Sequence, residues 1–150
     1  MEWIIKPFQK LTLQELYSIL QLRSSVFVVE QNCPYQDIDG NDEVAHHLFL
    51  KEGQAVLACL RILPAGVTFD QAALGRIVVD PKQRGKDYGR QLLRRGIAFA
   101  EEQWQVPVLK IEAQSYLQKF YESFGFVQTS QEFLEDGIPH IEMLRATPQK

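Results

Sequence analysis

LGRIVVDPKQRGKDYGRQLLRRGIAFA, residues 74–100, decides the fold, because the hydrophobic period changes inside it. Residues 73–79 have the β-branched, apolar composition of a buried strand, which Pro81 stops. From Tyr88 onward Leu92, Leu93, Ile97, Phe99 and Ala100 recur at helical spacing as far as Gln103. Between strand and helix lies QRGKDYG, a glycine-containing turn that feeds a helix N-terminus. The first N–H groups of a helix have no intrahelical acceptor and sit at the positive end of its dipole, so such a turn can hold a phosphate. Gly85 and Gly89 let the backbone approach closely, while Arg84, Lys86 and Arg90 add positive charge. The same turn can also be no more than a strand-helix connection. It is neither GxxxxGK(S/T) nor a three-glycine dinucleotide fingerprint, which excludes P-loop and Rossmann readings.

Upstream, residues 11–23 carry apolar side chains near 3.6 spacing, with Thr12 as N-cap and Glu15 completing a capping box. Residues 24–30 switch to a β-branched composition, and residues 32–42, containing DIDGND, read as a long polar surface loop. Residues 46–51 and 55–63 read as two strands about a Glu52-Gly53 turn, making a three-strand meander with residues 73–79. Downstream, residues 108–113 suit a strand buried on both faces, residues 117–124 a short helix ended by Gly125, and residues 126–134 and 138–144 a hairpin about Asp136-Gly137. The expected order is αβββαβαββ, a mixed sheet with helices packed on it.

The chain has 150 residues, 45% of them apolar, and a net charge of −3. A single domain of this size buries roughly two-thirds of the surface its unfolded chain exposes, so it folds without a disulfide or metal. No apolar run approaches the roughly 20 residues of a membrane helix, and MEWIIKPFQK has no signal-peptide pattern, so no membrane association is expected. Cys33 and Cys59 are isolated from each other, which fits a reducing cytoplasm and argues against zinc and CxxC sites. Mild acidity without a Lys/Arg run argues against a nucleic-acid partner.

GRIVVDP, QRGKDYG and FYESFGF together resemble the GNAT superfamily of acyl-CoA-dependent N-acetyltransferases. More narrowly, LQLRSSVFVVEQNCPYQDIDG (residues 20–40), AHHL, AQSYLQKFYESFGF and EDGIPHIEM are similar to ElaA-type acetyltransferases, and the similarity covers nearly the whole chain. The resemblance implies an α/β GNAT-like fold: a central mixed, mostly antiparallel sheet of six to seven strands, flanked by helices, with a terminal β-hairpin. It implies that Arg84, Gly85, Lys86, Asp87, Tyr88, Gly89 and Arg90 hold the pyrophosphate of acetyl-CoA, and that the backbone of Ile77, Val78 and Val79 hydrogen-bonds the pantetheine arm. It further implies a splayed sheet that admits the thioester, with Tyr121 donating a proton to the departing thiolate. Asp87 departs from the pattern, because it sets a carboxylate where a glycine is usual. The resemblance also makes a homodimer through the terminal hairpin a reasonable expectation.

N-acyl transfer needs a neutral amine, a donor for the thiolate and a donor for the developing oxyanion, and it needs no metal. Glu112 and His140 are candidates for the base, and each can equally be a structural residue. Glu30, Gln31 and His47 are candidates for binding the acceptor, a small-molecule or peptide amine. Glu30 and Gln31 belong to an acidic stretch with Asp37, Asp39, Asp42 and Glu43, which either attracts a cationic amine or is a solvated loop. Cys33 reads as an ordinary loop thiol, and Trp3 and Trp104 as packing residues. An acyl-CoA-binding or sensing module without turnover remains the alternative to an enzyme.

Overall fold

The computed structural model describes residues 1–149, which form β1 (Glu2–Pro7), α1 (Leu13–Arg23), β2 (His46–Glu52), β3 (Ala55–Leu63), β4 (Ala72–Val79), α2 (Tyr88–Glu102), β5 (Val108–Gln114), α3 (Gln118–Glu122), β6 (Val127–Gln128), β7 (Phe133–Glu135) and β8 (Ile138–Ala146). All eight strands belong to one sheet of order β1-β2-β3-β4-β5-β8-β6, in which β7 also pairs with β8. Every pairing is antiparallel except β4 with β5. The parallel pair is the one joined by a helical crossover, as a parallel connection requires.

Side chains alternate between two cores. Leu48, Leu50, Leu60 and Ile62 pack with Leu92, Leu93 and Ile97 of α2, whereas Phe49, Cys59 and Val78 pack with Ile19 and Leu22 of α1. The capping box of α1 is present in both directions, between Thr12 and Glu15. Glu15 also takes hydrogen bonds from Lys6 at 2.9 Å and Lys51 at 3.2 Å, tying α1 to β1 and β2. Burial opposes the charge on Glu15, yet these donors hold its carboxyl down to about 2.

The sheet has eight strands rather than six to seven, for two reasons. Glu2–Pro7 pairs along β2 as an edge strand, although WIIKP shows no alternation that marks it. Residues 126–134 do not form one strand: the Ser130 hydroxyl accepts the Glu142 N–H at 2.9 Å, so a side chain replaces a ladder carbonyl and separates β6 from β7. The Asp136-Gly137 turn is as expected, with both residues at positive φ (51° and 78°). Ser24–Glu30, strand-like in composition, continues α1 as a π-helical segment that keeps Val26 in the core with Ile19 and Leu22. Among the described residues no helix is long and apolar enough to cross a membrane.

Candidate active site

β4 and β5 pair only at Ala72 with Leu109 and Ala73 with Lys110, and beyond that point they separate. The cause is visible on the other edge of β4. Leu60 of β3 faces two residues, Arg76 and Ile77, forming a β-bulge in which Arg76 takes φ +50°. The bulge turns the strand away from β5 and leaves the following backbone edge without a ladder partner. A cleft of about 960 Å³ opens there, running from the glycine turn past Ile77, Val78 and Val79 to the β7–β8 hairpin.

At one end of the cleft stands the turn. Gly85 has φ +85° with no atom within 4 Å of where a Cβ would lie, and Asp87 has φ +69°, so the backbone curls into a concavity that leads into α2. Gln83, Arg84, Gly85, Asp87, Tyr88, Gly89 and Arg90 line it, whereas the Lys86 ammonium turns to the Gln83 side chain at 2.8 Å and is absent from the wall. Asp87 is the residue before α2, yet its carboxylate makes no cap hydrogen bond; it is 56% exposed and lies 3.7 Å from Arg90. The Arg90 guanidinium sits over the rings of Phe120 and Phe124, at 5.6 and 5.9 Å. A left-handed glycine, a helix N-terminus and two wall arginines fit a phosphate-bearing group such as the pyrophosphate of acetyl-CoA.

Tyr121 lines the cleft, and Glu112 lines it at the β7–β8 hairpin end, beside Glu135. Tyr121 is 6% exposed, edge-on to Phe120 and Phe126, and among the described residues no group hydrogen-bonds its hydroxyl. Burial pushes its pKa up, which keeps the phenol protonated. Glu112 projects from β5 and is half-buried; burial, reinforced by the neighbouring carboxylates of Glu135 and Glu142, raises it to about 7. Glu142 is paired with Lys110 at 3.2 Å. His140, opposite Gln114 in the β5–β8 register, lines the same end; its Nδ1 lies 2.7 Å from the Ile138 carbonyl and its ring stacks on Phe133.

The wall facing this end is the segment between α1 and β2, a surface loop as expected, but one that turns Asp37 and Asp42 inward. Arg23, 1% exposed, bonds Asp37 at 3.0 Å and Asp42 at 2.7 Å. Arg61 bonds Asp39 at 2.6 Å and Asp42 at 3.1 Å, while Arg76, over the Tyr35 ring, forms an ion pair with the Asp37 carboxylate at 2.8 Å and donates to the Asp37 carbonyl at 3.1 Å. Burial works against the charges of Asp39 and Asp42, but the guanidinium donors outweigh it and hold both carboxyls below the usual range. Three aspartates are therefore committed to arginines and are not free to attract an amine. Arg61, charged inside the otherwise apolar strand AVLACLRIL, was the sequence signal for this network, since a buried arginine needs buried partners.

Two acceptor candidates stand differently from their expected places. His47 is 1% exposed, bonded through Nε2 to the Asp42 carbonyl at 2.9 Å and packed on Phe8, so it lies outside the cleft wall. Its neighbour His46 faces the other side, against Phe99 and Trp104. Glu30 and Gln31 do line the cleft, but Glu30 is engaged by Arg84 of the turn in a two-point ion pair at 2.6 and 3.1 Å. Cys33 is a buried free thiol, 3.4 Å from the Asp136 carbonyl.

Comparison with known proteins agrees with this architecture. The model of the acetyltransferase (GNAT) domain matches residues 14–146. Protein ElaA of Escherichia coli is 39% identical over 150 residues, covering 99% of this chain and 98% of that one. The crystal structure of E. coli ElaA superposes with a TM-score of 0.90, covering 97% of this chain and 99% of that one. An acyl-CoA N-acyltransferase from Pseudomonas aeruginosa superposes with a TM-score of 0.92 at 44% identity, covering 97% of this chain and all (100%) of that one. A mixed sheet parted between β4 and β5, a glycine turn at the mouth of the gap and these matches lead to one assignment: the chain is an ElaA-like member of the GNAT acetyltransferase family, whose fold implies use of an acyl-CoA.

Proposed function

We propose that this protein moves the acetyl group of acetyl-CoA to a primary amine by direct attack, with both substrates held in the cleft. The observation that carries the reading is that Tyr121 and Glu112 stand in the walls of the same gap that begins at the glycine turn. Gly85, the first turn of α2, Arg84 and Arg90 bind the phosphates, and the free edge of Ile77, Val78 and Val79 accepts the pantetheine arm as a neighbouring strand would. A backbone N–H beyond the Arg76 bulge faces the thioester oxygen and stabilises the negative charge that grows there. Glu112 takes a proton from the acceptor's ammonium, directly or through water, and the neutral amine left behind attacks the thioester carbon to form the new N–C bond. Tyr121 gives its proton to the sulfur as the C–S bond breaks. His140 and Gln31 shape the acceptor end, where the carboxylates of Glu112 and Glu135 favour a cationic amine over one that carries a carboxylate beside its nitrogen.

The test is release of CoA thiol with a panel of amines at several pH values. A general base must be deprotonated to act, so kcat/KM rises with pH through an inflection near 7, the value to which Glu112 is raised. Glu112→Gln abolishes that inflection and lowers kcat/KM by about 100-fold or more. An unchanged profile in this variant removes Glu112 from the reaction.

Asp87 bears on the cofactor end. Its left-handed backbone is the conformation glycine adopts without cost, and its exposed carboxylate adds negative charge beside the phosphates. Asp87→Gly is expected to tighten CoA binding about fivefold, the order of one unscreened like-charge contact in water. Titration calorimetry checks this, and unchanged affinity places the carboxylate out of reach of the phosphates.

A further inference from the structure

Glu30 and Arg84 are 54 residues apart in sequence, and each lines the cleft. Arg84 gives both terminal nitrogens to the two oxygens of Glu30, at 3.1 and 2.6 Å, and the guanidinium is held above its ordinary pKa chiefly by this hydrogen bonding. The guanidinium fork that grips a carboxylate is the fork that grips a phosphate, and one pair of N–H donors serves one such partner at a time. Both side chains remain accessible, 50% for Arg84 and 39% for Glu30, so the pair opens without unpacking the core. Glu30 closes the π-helical segment and precedes Gln31 and Asn32, the latter with φ +49°, where the chain leaves the helix and enters the acceptor-side wall. Glu30, paired with Arg84 of the turn, lines the same cleft as Gln31, Glu112 and Glu135.

Resting on the acetyl-CoA reading above, we infer that Glu30 links the two ends of the site: phosphate taking Arg84 displaces the Glu30 carboxylate, which then binds the ammonium of the acceptor. Cofactor binding thereby frees the Glu30 carboxylate for the amine. The carboxylate competes with the phosphates for Arg84 and contributes its charge to the acceptor only after release.

Titration calorimetry with CoA, which needs no knowledge of the acceptor, tests the first half. Glu30→Gln removes the competing charge, and CoA binding is expected to tighten about two- to fivefold, the range of an accessible ion pair. In an Arg84→Gln background the same change has a smaller effect, since the competition is gone. Weaker or unchanged CoA binding in Glu30→Gln overturns the inference, because Glu30 would then be orienting Arg84 for phosphate or acting elsewhere. Wild-type protein that fails to bind CoA overturns the acetyl-CoA reading itself, so the two failures are distinct. For any amine that supports thiol release, Glu30→Gln raises the amine KM severalfold with kcat little changed; an unaltered amine KM removes the acceptor half.

Discussion

Replacing Tyr121 by Phe slows acetyl transfer on the order of 100-fold or more while leaving CoA affinity and thermal stability near the wild-type values. The separation of these effects follows from the environment of the side chain. Its ring is wedged edge-on between Phe120 and Phe126, contacts a phenylalanine keeps, and its hydroxyl has no hydrogen-bond partner among the described residues to lose. The hydroxyl therefore contributes little to the fold and is free to serve the reaction. Burial raises its pKa, so it remains a proton donor across the pH range in which an amine acceptor is used. Thiol-release kinetics beside CoA calorimetry on both proteins check this. Equal rates would leave the thiolate to another donor or to water, whereas CoA binding without thiol release by either protein would revive the reading of the chain as a binding module.

Arg23→Met is expected to be the most damaging single change to the fold, costing about 3–5 kcal/mol. Arg23 is 1% exposed and is shared by Asp37 and Asp42, so removing it leaves two carboxylates buried without their main counter-charge. Asp37 also holds Arg76 at the β4 bulge, which carries the damage from the α1 end to the mouth of the cleft. The cost depends on pH in a direction fixed by linkage. Burial opposes the charge of Asp42, but Arg23 leads the groups that hold its carboxyl below the ordinary value of 3.8, so the stabilisation this pair brings is intact above about pH 4 and is lost as pH falls through the lower folded value. Thermal melts should show a large gap between variant and wild type at pH 7 that narrows at pH about 3. A gap independent of pH would mean that the loss comes from packing around the arginine stem rather than from its charge.

The parts of the fold carried by local chemistry were legible in the sequence. The Thr12–Glu15 capping box, the period change at Pro81, the turn about Gly85 and the Asp136-Gly137 hairpin each rest on a few adjacent residues, and each is where the pattern places it. What was not legible depends on residues far apart in the chain. The bulge at Arg76 arises from the register between β3 and β4, and the arginine holding it is itself held from residue 37. The acidic run from Asp37 to Asp42 has the composition of a solvated loop, and only the positions of Arg23, Arg61 and Arg76 convert it into a wall of the site. His47 could not be separated from a catalytic histidine by its strand position alone; the Asp42 carbonyl that satisfies it comes from that same wall. The resemblance in FYESFGF and QRGKDYG marked Tyr121 and the turn, whereas the raised carboxyl of Glu112 depends on Glu135 across the hairpin and on Glu142 beside it.

The central claim is that the cleft between β4 and β5 holds an acyl-CoA, and titration calorimetry of the wild-type protein with acetyl-CoA and with CoA tests it most directly. The account predicts micromolar binding of both, with affinity falling as salt rises because the Arg84 and Arg90 contacts to phosphate are screened. No binding by the wild type, with binding restored in Asp87→Gly, would contradict it, since the turn would then have given up its cofactor role through that one side chain.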